Sequence, residues 1–302
     1  MKVIAVVVTY NRLELLKRTI GSLRRNEPLN GVVVVNNGST DGTGTWLADE
    51  ADGWLQVVTQ ENVGGSGGFH TGISYAFREG ADWIWCMDDD VFPRPDCLSN
   101  LLAQTGWPGV GVMAPRRLLE GRVFSNDFTA YNLTNPFASM YIGKGAGLHA
   151  EAPAEIVGTA FEGLFVKRET VERIGLPNKE LFIFCDDTDY CLRAVQAGYK
   201  ILYVPQALMD KHRFFAANDG WAARNRQKKW KRYYQVRNST YLNHHYGRNW
   251  AVRYLRGFIG MAGYCVTALL TIPFTDAWQW GDLSRLWRAY SDGLHERLGK
   301  ID

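Results

Sequence analysis

The stretch Asp82-Trp83-Ile84-Trp85-Cys86-Met87-Asp88-Asp89-Asp90 decides how the rest of the chain reads. Its apolar, aromatic-rich first part has the makeup of a buried strand. Burial gives no reason for the carboxylates that end it. Acids crowded at a strand end repel one another unless a cation sits among them, and hard divalent cations take oxygen ligands. Val91-Phe92-Pro93-Arg94-Pro95 follows, and its prolines stop the strand. Two readings stand at this point: an acidic tip that holds a metal ion at a sheet edge, or a solvated acidic turn.

Working outward, residues 2–9 (KVIAVVVT) and 31–37 (GVVVVNN) are β-branched runs suited to strands buried on both faces, and 55–59 makes a further strand. Between the first two, Leu15, Leu16, Ile20 and Leu23 recur at helical spacing. Gly38-Ser39-Thr40-Asp41-Gly42 is turn chemistry ahead of a short helix near 45–50, and the glycine-rich residues 64–68 precede an amphipathic helix to about 79. Residues 97–104 read as a helix, 109–114 as a strand, 157–167 as a strand or loop, 168–174 as a short helix and 200–205 as a strand. Residues 116–155 show no regular pattern. The alternation predicts an α/β fold, a mostly parallel sheet with helices on both faces. Such sheets bind ligands beyond the carboxyl ends of their strands. The unusual polar clusters at 9–12, 36–41 and 88–90 all fall there.

The chain has 302 residues, 46% of them apolar, with a net charge of +3. That suffices for one large α/β domain with an appendage and argues against disorder. Five cysteines without CxxC spacing point to reduced thiols and a cytosolic setting. The first strand pattern begins without the features of a secretory leader.

Composition changes near residue 221, so the chain is read as an α/β domain at 1–220 and a helical region at 221–302. From 220 to 275 there is no Asp or Glu, while Arg224, Arg226, Lys228, Lys229, Lys231, Arg232, Arg237, Arg248, Arg253 and Arg256 fall in the same span. Trp230, Tyr233 and Tyr234 are interleaved with them, and 257–274 carries no charge. Eighteen residues diluted by Gly, Thr and Pro fit a helix that enters one leaflet or packs in the core better than a span. Basic and aromatic residues beside an apolar run fit contact of 221–275 with a membrane surface. Nucleic acid is not expected, since no recognition module accompanies the basic residues.

Taken together, Thr9-Tyr10-Asn11-Arg12, Asn37-Gly38-Ser39-Thr40-Asp41-Gly42, Asn62-Val63-Gly64-Gly65-Ser66-Gly67-Gly68-Phe69, Asp88-Asp89-Asp90 and Asp186-Asp187-Thr188-Asp189-Tyr190 resemble family-two inverting glycosyltransferases of the GT-A fold. They are most like bacterial galactofuranosyltransferases, with rhamnosyltransferases as near relatives. The resemblance covers about residues 1–242. It implies that Thr9, Tyr10 and Arg12 line a uridine pocket. Asn36 stands where the family commonly carries an aspartate that reads the base, with Asn37 and Asp41 beside it. Gly65, Gly67 and Gly68 would let backbone approach the sugar diphosphate. Asp88 and Asp90, flanking Asp89, would hold Mn2+ or Mg2+, with His212 completing the shell, and Asp187 would be the catalytic base. The implied partners are a UDP-sugar donor and a lipid-linked oligosaccharide acceptor, met by a peripheral protein on the cytoplasmic face of the membrane.

Other readings of the same residues stay open. The glycine segment misses the dinucleotide pattern, with His70 where the third glycine belongs. It also fits a plain turn. Asp186, Asp187 and Asp189 sit at a helix start, where acids are favoured by the dipole alone. His212 by itself is an ordinary surface histidine. A sugar nucleotidyltransferase shares this layout, but Thr9-Tyr10-Asn11-Arg12 is not its Gly-rich basic loop. A non-catalytic sugar- or lipid-binding relic would need no base.

Overall fold

In the first strand, Val3, Ala5 and Val7 enter one apolar cluster and Ile4, Val6 and Val8 another. Alternate residues of a strand point to opposite faces, so an unbroken β-branched run requires cover on both sides. The computed structural model describes residues 1–145, 150–213 and 228–301. The basic positions Arg224 and Arg226 lie outside the described residues.

The chain divides into two compact units. The first holds Met1–Ala130, Gly143–Lys179 and Asp186–His212. It begins as β1 (Val3–Thr9), α1 (Leu13–Leu23), β2 (Gly31–Asn36), α2 (Thr43–Glu50), β3 (Leu55–Thr59), α3 (Gly64–Arg78) and β4 (Trp83–Asp88). β5 (Val91–Pro93), α4 (Cys97–Leu102), β6 (Val110–Leu119) and β7 (Arg122–Phe124) follow. After a two-stranded ladder of β8 (Ala130–Tyr131) and β9 (Tyr141–Ile142) come β10 (Ala154–Ile156), β11 (Leu164–Lys167), α5 (Arg168–Ile174), α6 (Asp186–Gln196) and β12 (Lys200–Lys211). The main sheet runs β10-β12-β6-β11-β4-β1-β2-β3, with β5 on β12 and β7 on β6. β3, β2, β1 and β4 are parallel to one another, and β11 is inserted antiparallel between β4 and β6.

Three local readings change. The strand expected at 200–205 continues through Pro205 to Lys211, because a register shift between Val204 and Leu208 absorbs the proline. The irregular stretch after 116 contains the end of β6 and a fully buried ion pair, Arg117 with Asp127 at 2.7 Å. The glycines at 64–68 are no loop but the first turns of α3.

The second unit holds Tyr131–Ile142, Glu180–Cys185 and Arg213–Asp302. Its longer helices among the described residues are Lys231–Tyr246, Gly257–Thr271 and Trp280–Leu294, packed around Tyr233, Tyr234, Met261, Trp278 and Leu286. Two members of the basic group are buried here. Arg237 donates to the Leu181 carbonyl at 3.0 Å, and Asn238 to the carbonyls of Leu181, Ile183 and Phe184 at 2.8–3.0 Å. Arg256 donates to the Asn132 carbonyl at 2.7 Å and to Asn243 at 3.1 Å. These arginines satisfy main-chain oxygens that water cannot reach. Among the described residues, no helix is long and apolar enough to cross a membrane.

Candidate active site

The parallel registers put Thr9 opposite Asn36, Asn36 opposite Thr59, and Val8 opposite Asp88. The strand ends that carry polar residues therefore line one edge. β11 enters the sheet at the same edge, pairing Leu164 with Cys86, so Glu162 just before it stands by the acidic tip.

Asp89, the middle acid, is buried and fully engaged. Thr9 Oγ1 donates to its Oδ2 at 2.7 Å and Arg12 Nη1 to its Oδ1 at 3.1 Å. Thr19 of α1 donates to the Asp89 carbonyl at 2.8 Å, fixing the tip's backbone. Asp90 is buried as well, and its Oδ1 has no hydrogen-bond partner. Its Oδ2 lies 3.2 Å from Lys211 Nζ and 3.9 Å from Arg12. Lys211 also donates to Glu162 Oε1 at 2.7 Å, and the other Glu162 oxygen faces Arg117 at 3.5 Å.

Charge in this space is costly, and the acids show it. Burial raises the pKa of Asp88 well above the usual carboxylate range, Asp90 and Glu162 add to the effect, and Lys211 opposes it. Asp90 is raised by burial, with Lys211 opposing and Glu162 adding. Asp89 is raised by burial against the pull of Arg12 and Thr9. For Lys211, burial works against the ammonium, but Glu162 and Asp90 outweigh it and its pKa rises.

Asp187 lies in the first turn of α6 and keeps part of its surface open. Its Oδ1 accepts from the Thr188 main-chain N–H at 2.6 Å. Burial, then Asp186, push its pKa up to about 7; the Thr188 contacts oppose this and Glu162 adds to it. Glu162 thus raises the pKa of Asp88 and Asp90, and to the least degree among its causes that of Asp187. Asp189 belongs to the scaffold: it accepts from Arg193 at 3.0 Å, and Arg193 also caps the carbonyls of Ile174 and Leu176.

The other expected positions divide between open surface and framework. Tyr10 is exposed. Asn36 accepts from the Ser39 N–H at 3.0 Å, and Asn37 links Gly64 and Gln60 at 2.9 and 2.7 Å. Asp41 accepts from the Leu13 N–H at 3.1 Å and from the Thr43 hydroxyl at 2.6 Å, starting α1 and α2 together, and these bonds hold its pKa down despite burial. A Cβ on Gly68 would meet Val8 at 2.5 Å, and one on Gly67 would meet Val63 at 2.5 Å. A Cβ on Gly65 would meet nothing within 4 Å. Gly67 and Gly68 therefore serve close packing, Gly68 against β1, whereas Gly65 leaves open space.

Among the described residues, no three His, Cys, Asp or Glu side chains are gathered as a ready metal centre. His212 is tied to the tip by its main chain, its N–H donating to the Asp90 carbonyl at 2.9 Å. The donor set nonetheless fits a hard divalent ion. Asp88 and Asp90 offer carboxylate oxygens at the acidic tip, and Asp90 Oδ1 is buried without a partner. Sequence reasoning missed Glu162 and Lys211. Their signal was a lone acid in the apolar run 160–166 and a lysine directly before His212.

The family model described as Glycosyl transferase family 2 matches residues 4–159, and that described as Glycosyl transferase family group 2 matches 83–283. The chain is 28% identical over 208 residues to galactofuranosyltransferase GlfT1 of Mycobacterium tuberculosis (strain CDC 1551 / Oshkosh), covering 65% of each, so it spans less than two thirds of that relative. It is 27% identical over 214 residues to undecaprenyl-phosphate mannosyltransferase of Micrococcus luteus, covering 70% of this chain and 85% of the relative. The structure of mannosyltransferase PcManGT from Pyrobaculum calidifontis, in complex with GDP-Man and Mn2+, matches with a TM-score of 0.54 at 16% identity, over 98% of this chain and 88% of that one. At that identity the likeness speaks for the GT-A fold alone. With one family model spanning 4–159 of 302 residues and the other 83–283, the chain belongs to glycosyl transferase family 2.

Proposed function

We propose that the protein is an inverting glycosyltransferase that moves galactofuranose from UDP-galactofuranose to a lipid-linked bacterial cell-surface glycan. The reading is supported by the likeness to galactofuranosyltransferase GlfT1 and by the acidic tip, where Asp90 keeps a buried oxygen without a partner beside Lys211 and Glu162. The charge of Glu162 also adds to the raised pKa of Asp187, from a distant part of the chain.

In this reading Thr9, Tyr10, Arg12 and Asn36 border the nucleoside, and the open space over Gly65 admits the donor. Asp88 and Asp90 would hold Mn2+ or Mg2+, assisted by His212. Such an ion, when bound, supplies positive charge to a leaving diphosphate. Asp187 takes the proton from the acceptor hydroxyl as that oxygen attacks the anomeric carbon. The bond from that carbon to the diphosphate breaks, UDP leaves, and the configuration inverts. A carboxylate with a pKa of about 7 suits this task, since proton transfer is best served by a base matched to the working pH.

The acceptor's lipid would be met by the second unit. Trp250, Phe258, Val266, Leu270, Phe274 and Trp280 expose large apolar surface, with Phe274 at 84% and Trp250 at 70%. Aromatic residues of this kind favour the headgroup level of a bilayer. The reading is of a peripheral protein on the cytoplasmic face of the membrane.

A panel of nucleotide sugars tests the donor, scored by nucleotide release and product with and without manganese. UDP release with a lengthened glycan from UDP-galactofuranose is the expected result. Preference for a mannosyl donor would favour the mannosyltransferase relative, and a rhamnosyl or other hexosyl donor would likewise displace galactofuranose. Pyrophosphate with a new nucleotide sugar would mark a nucleotidyltransferase, and no turnover with any donor a binding relic.

A further inference from the structure

We propose that Lys211 is a built-in counter-cation that competes with the divalent ion for Asp90, and that Glu162 retains its ammonium when the ion binds. The inference rests on the reading of Asp88 and Asp90 as metal ligands.

The geometry is asymmetric. Lys211 Nζ lies 2.7 Å from Glu162 and 3.2 Å from Asp90, so the ammonium is shared but held more closely by Glu162. The Lys211 side chain is 12% exposed and that of Glu162 15%, which leaves water little part in screening. Glu162 is itself backed by Arg117, whose guanidinium is fully buried and held by Asp127 at 2.7 Å. Glu162 is therefore anchored on its far side and turns its Oε1 to Lys211. Asp90 is held less firmly: Arg12 stands 3.9 Å from its Oδ2 and is bonded to Asp89 instead, and its Oδ1 is buried without a partner.

A buried carboxylate oxygen without a partner calls for an explanation, and an ion that binds there supplies one. The arrangement makes sense if Asp90 exchanges cations. With no ion, Lys211 moderates the repulsion among Asp88, Asp90 and Glu162. With an ion on Asp90, repulsion drives the ammonium off, and Glu162 keeps it from becoming an unpaired buried charge. Lys211 then sets the ion concentration at which the site loads. It is a positioning residue for the ion, acting through Asp90.

The test is manganese titration of the full chain without donor, with free Mn2+ read by electron paramagnetic resonance. Lys211→Met should bind Mn2+ at least about tenfold more tightly than the parent, because a like charge a few ångströms away is gone. Lys211→Arg keeps the charge and should stay within a few-fold of the parent. Glu162→Gln should weaken binding, and by less when Lys211→Met is already present, since Glu162 acts through the ammonium. Circular dichroism melts of each variant check folding, and Lys211→Arg carries the charge comparison should Lys211→Met not fold. Unchanged or weaker binding by Lys211→Met overturns the proposal, as does much tighter binding by Lys211→Arg. If Asp90→Asn abolishes binding in that case, only the role of Lys211 falls. If Asp90→Asn also binds like the parent, the metal reading has failed with it.

Discussion

The Thr9 hydroxyl donates to Asp89 Oδ2 at 2.7 Å, joining the end of β1 to the middle of the acidic tip across 80 residues of sequence. With Arg12 on the other oxygen, Asp89 is committed to shaping the tip, and the outer acids Asp88 and Asp90 are left for chemistry. Thr9→Val removes the donor and leaves a buried carboxylate short of a partner. Unfolding in urea at pH 8 should show a loss of about 1–3 kcal/mol. The loss should shrink in acid, where Asp89 is protonated and needs the bond less. A variant as stable as the parent at pH 8 would show that the bond contributes nothing.

Stability should also report on Asp187. Its pKa is raised to about 7 in the folded chain, against an ordinary aspartate value of 3.8. Between those values the folded state holds a proton that the unfolded state has lost, so this group's contribution to stability falls as pH rises from about 4 to 7. Asp187→Asn removes that slope. Melting temperatures of parent and variant, measured from pH 4 to 8, should diverge upward with the variant the more stable at high pH. Parallel curves would mean that Asp187 ionises freely.

Three glycines of α3 separate packing from access. A Cβ at Gly72 would run into Val6 Cγ1 and come within 3.1 Å of Val35, so Gly72→Ala should destabilise by about 1–3 kcal/mol. Gly68→Ala, facing Val8, should follow it. Gly65→Ala meets nothing and should stabilise slightly, by about 0.5–1 kcal/mol, as alanine favours a helix. Urea titration ranks the three. If Gly65 borders the donor, its alanine variant also binds UDP-sugar more weakly while remaining the most stable.

Membrane contact predicts that Leu270→Ser combined with Phe274→Ser lowers sedimentation with anionic phosphatidylglycerol vesicles at least about tenfold at low salt. These residues are 67% and 84% exposed, so folding should be little affected. Equal sedimentation of parent and variant would assign the apolar surface to another purpose.

Much of the sheet was legible because β1, β2 and β4 are continuous β-branched or aromatic runs, a pattern that only burial on both faces explains. The start of α6 was legible from its acids, which the helix dipole favours at a first turn. The place of β11 was not, since four residues carry no sign of antiparallel pairing with distant strands. Glu162 and Lys211 escaped notice for a related reason: a single charge in or beside a strand looks like a surface residue until its neighbours are known. The glycines invited a ligand-binding reading because the same absent Cβ serves close helix-to-sheet contact, and only the facing valines distinguish the two. Arg237 and Arg256 looked like part of a basic surface, whereas their partners are main-chain carbonyls, which sequence does not display.

The central claim is that Asp187 accepts the proton of the attacking hydroxyl. Single-turnover transfer by Asp187→Asn, run beside equilibrium binding of the donor, addresses it most directly. Transfer should fall by about 10²–10⁴-fold with donor affinity kept within a few-fold of the parent, the loss expected when a general base is replaced by its amide. Transfer near the parent rate, with the variant folded and donor bound, would contradict the account.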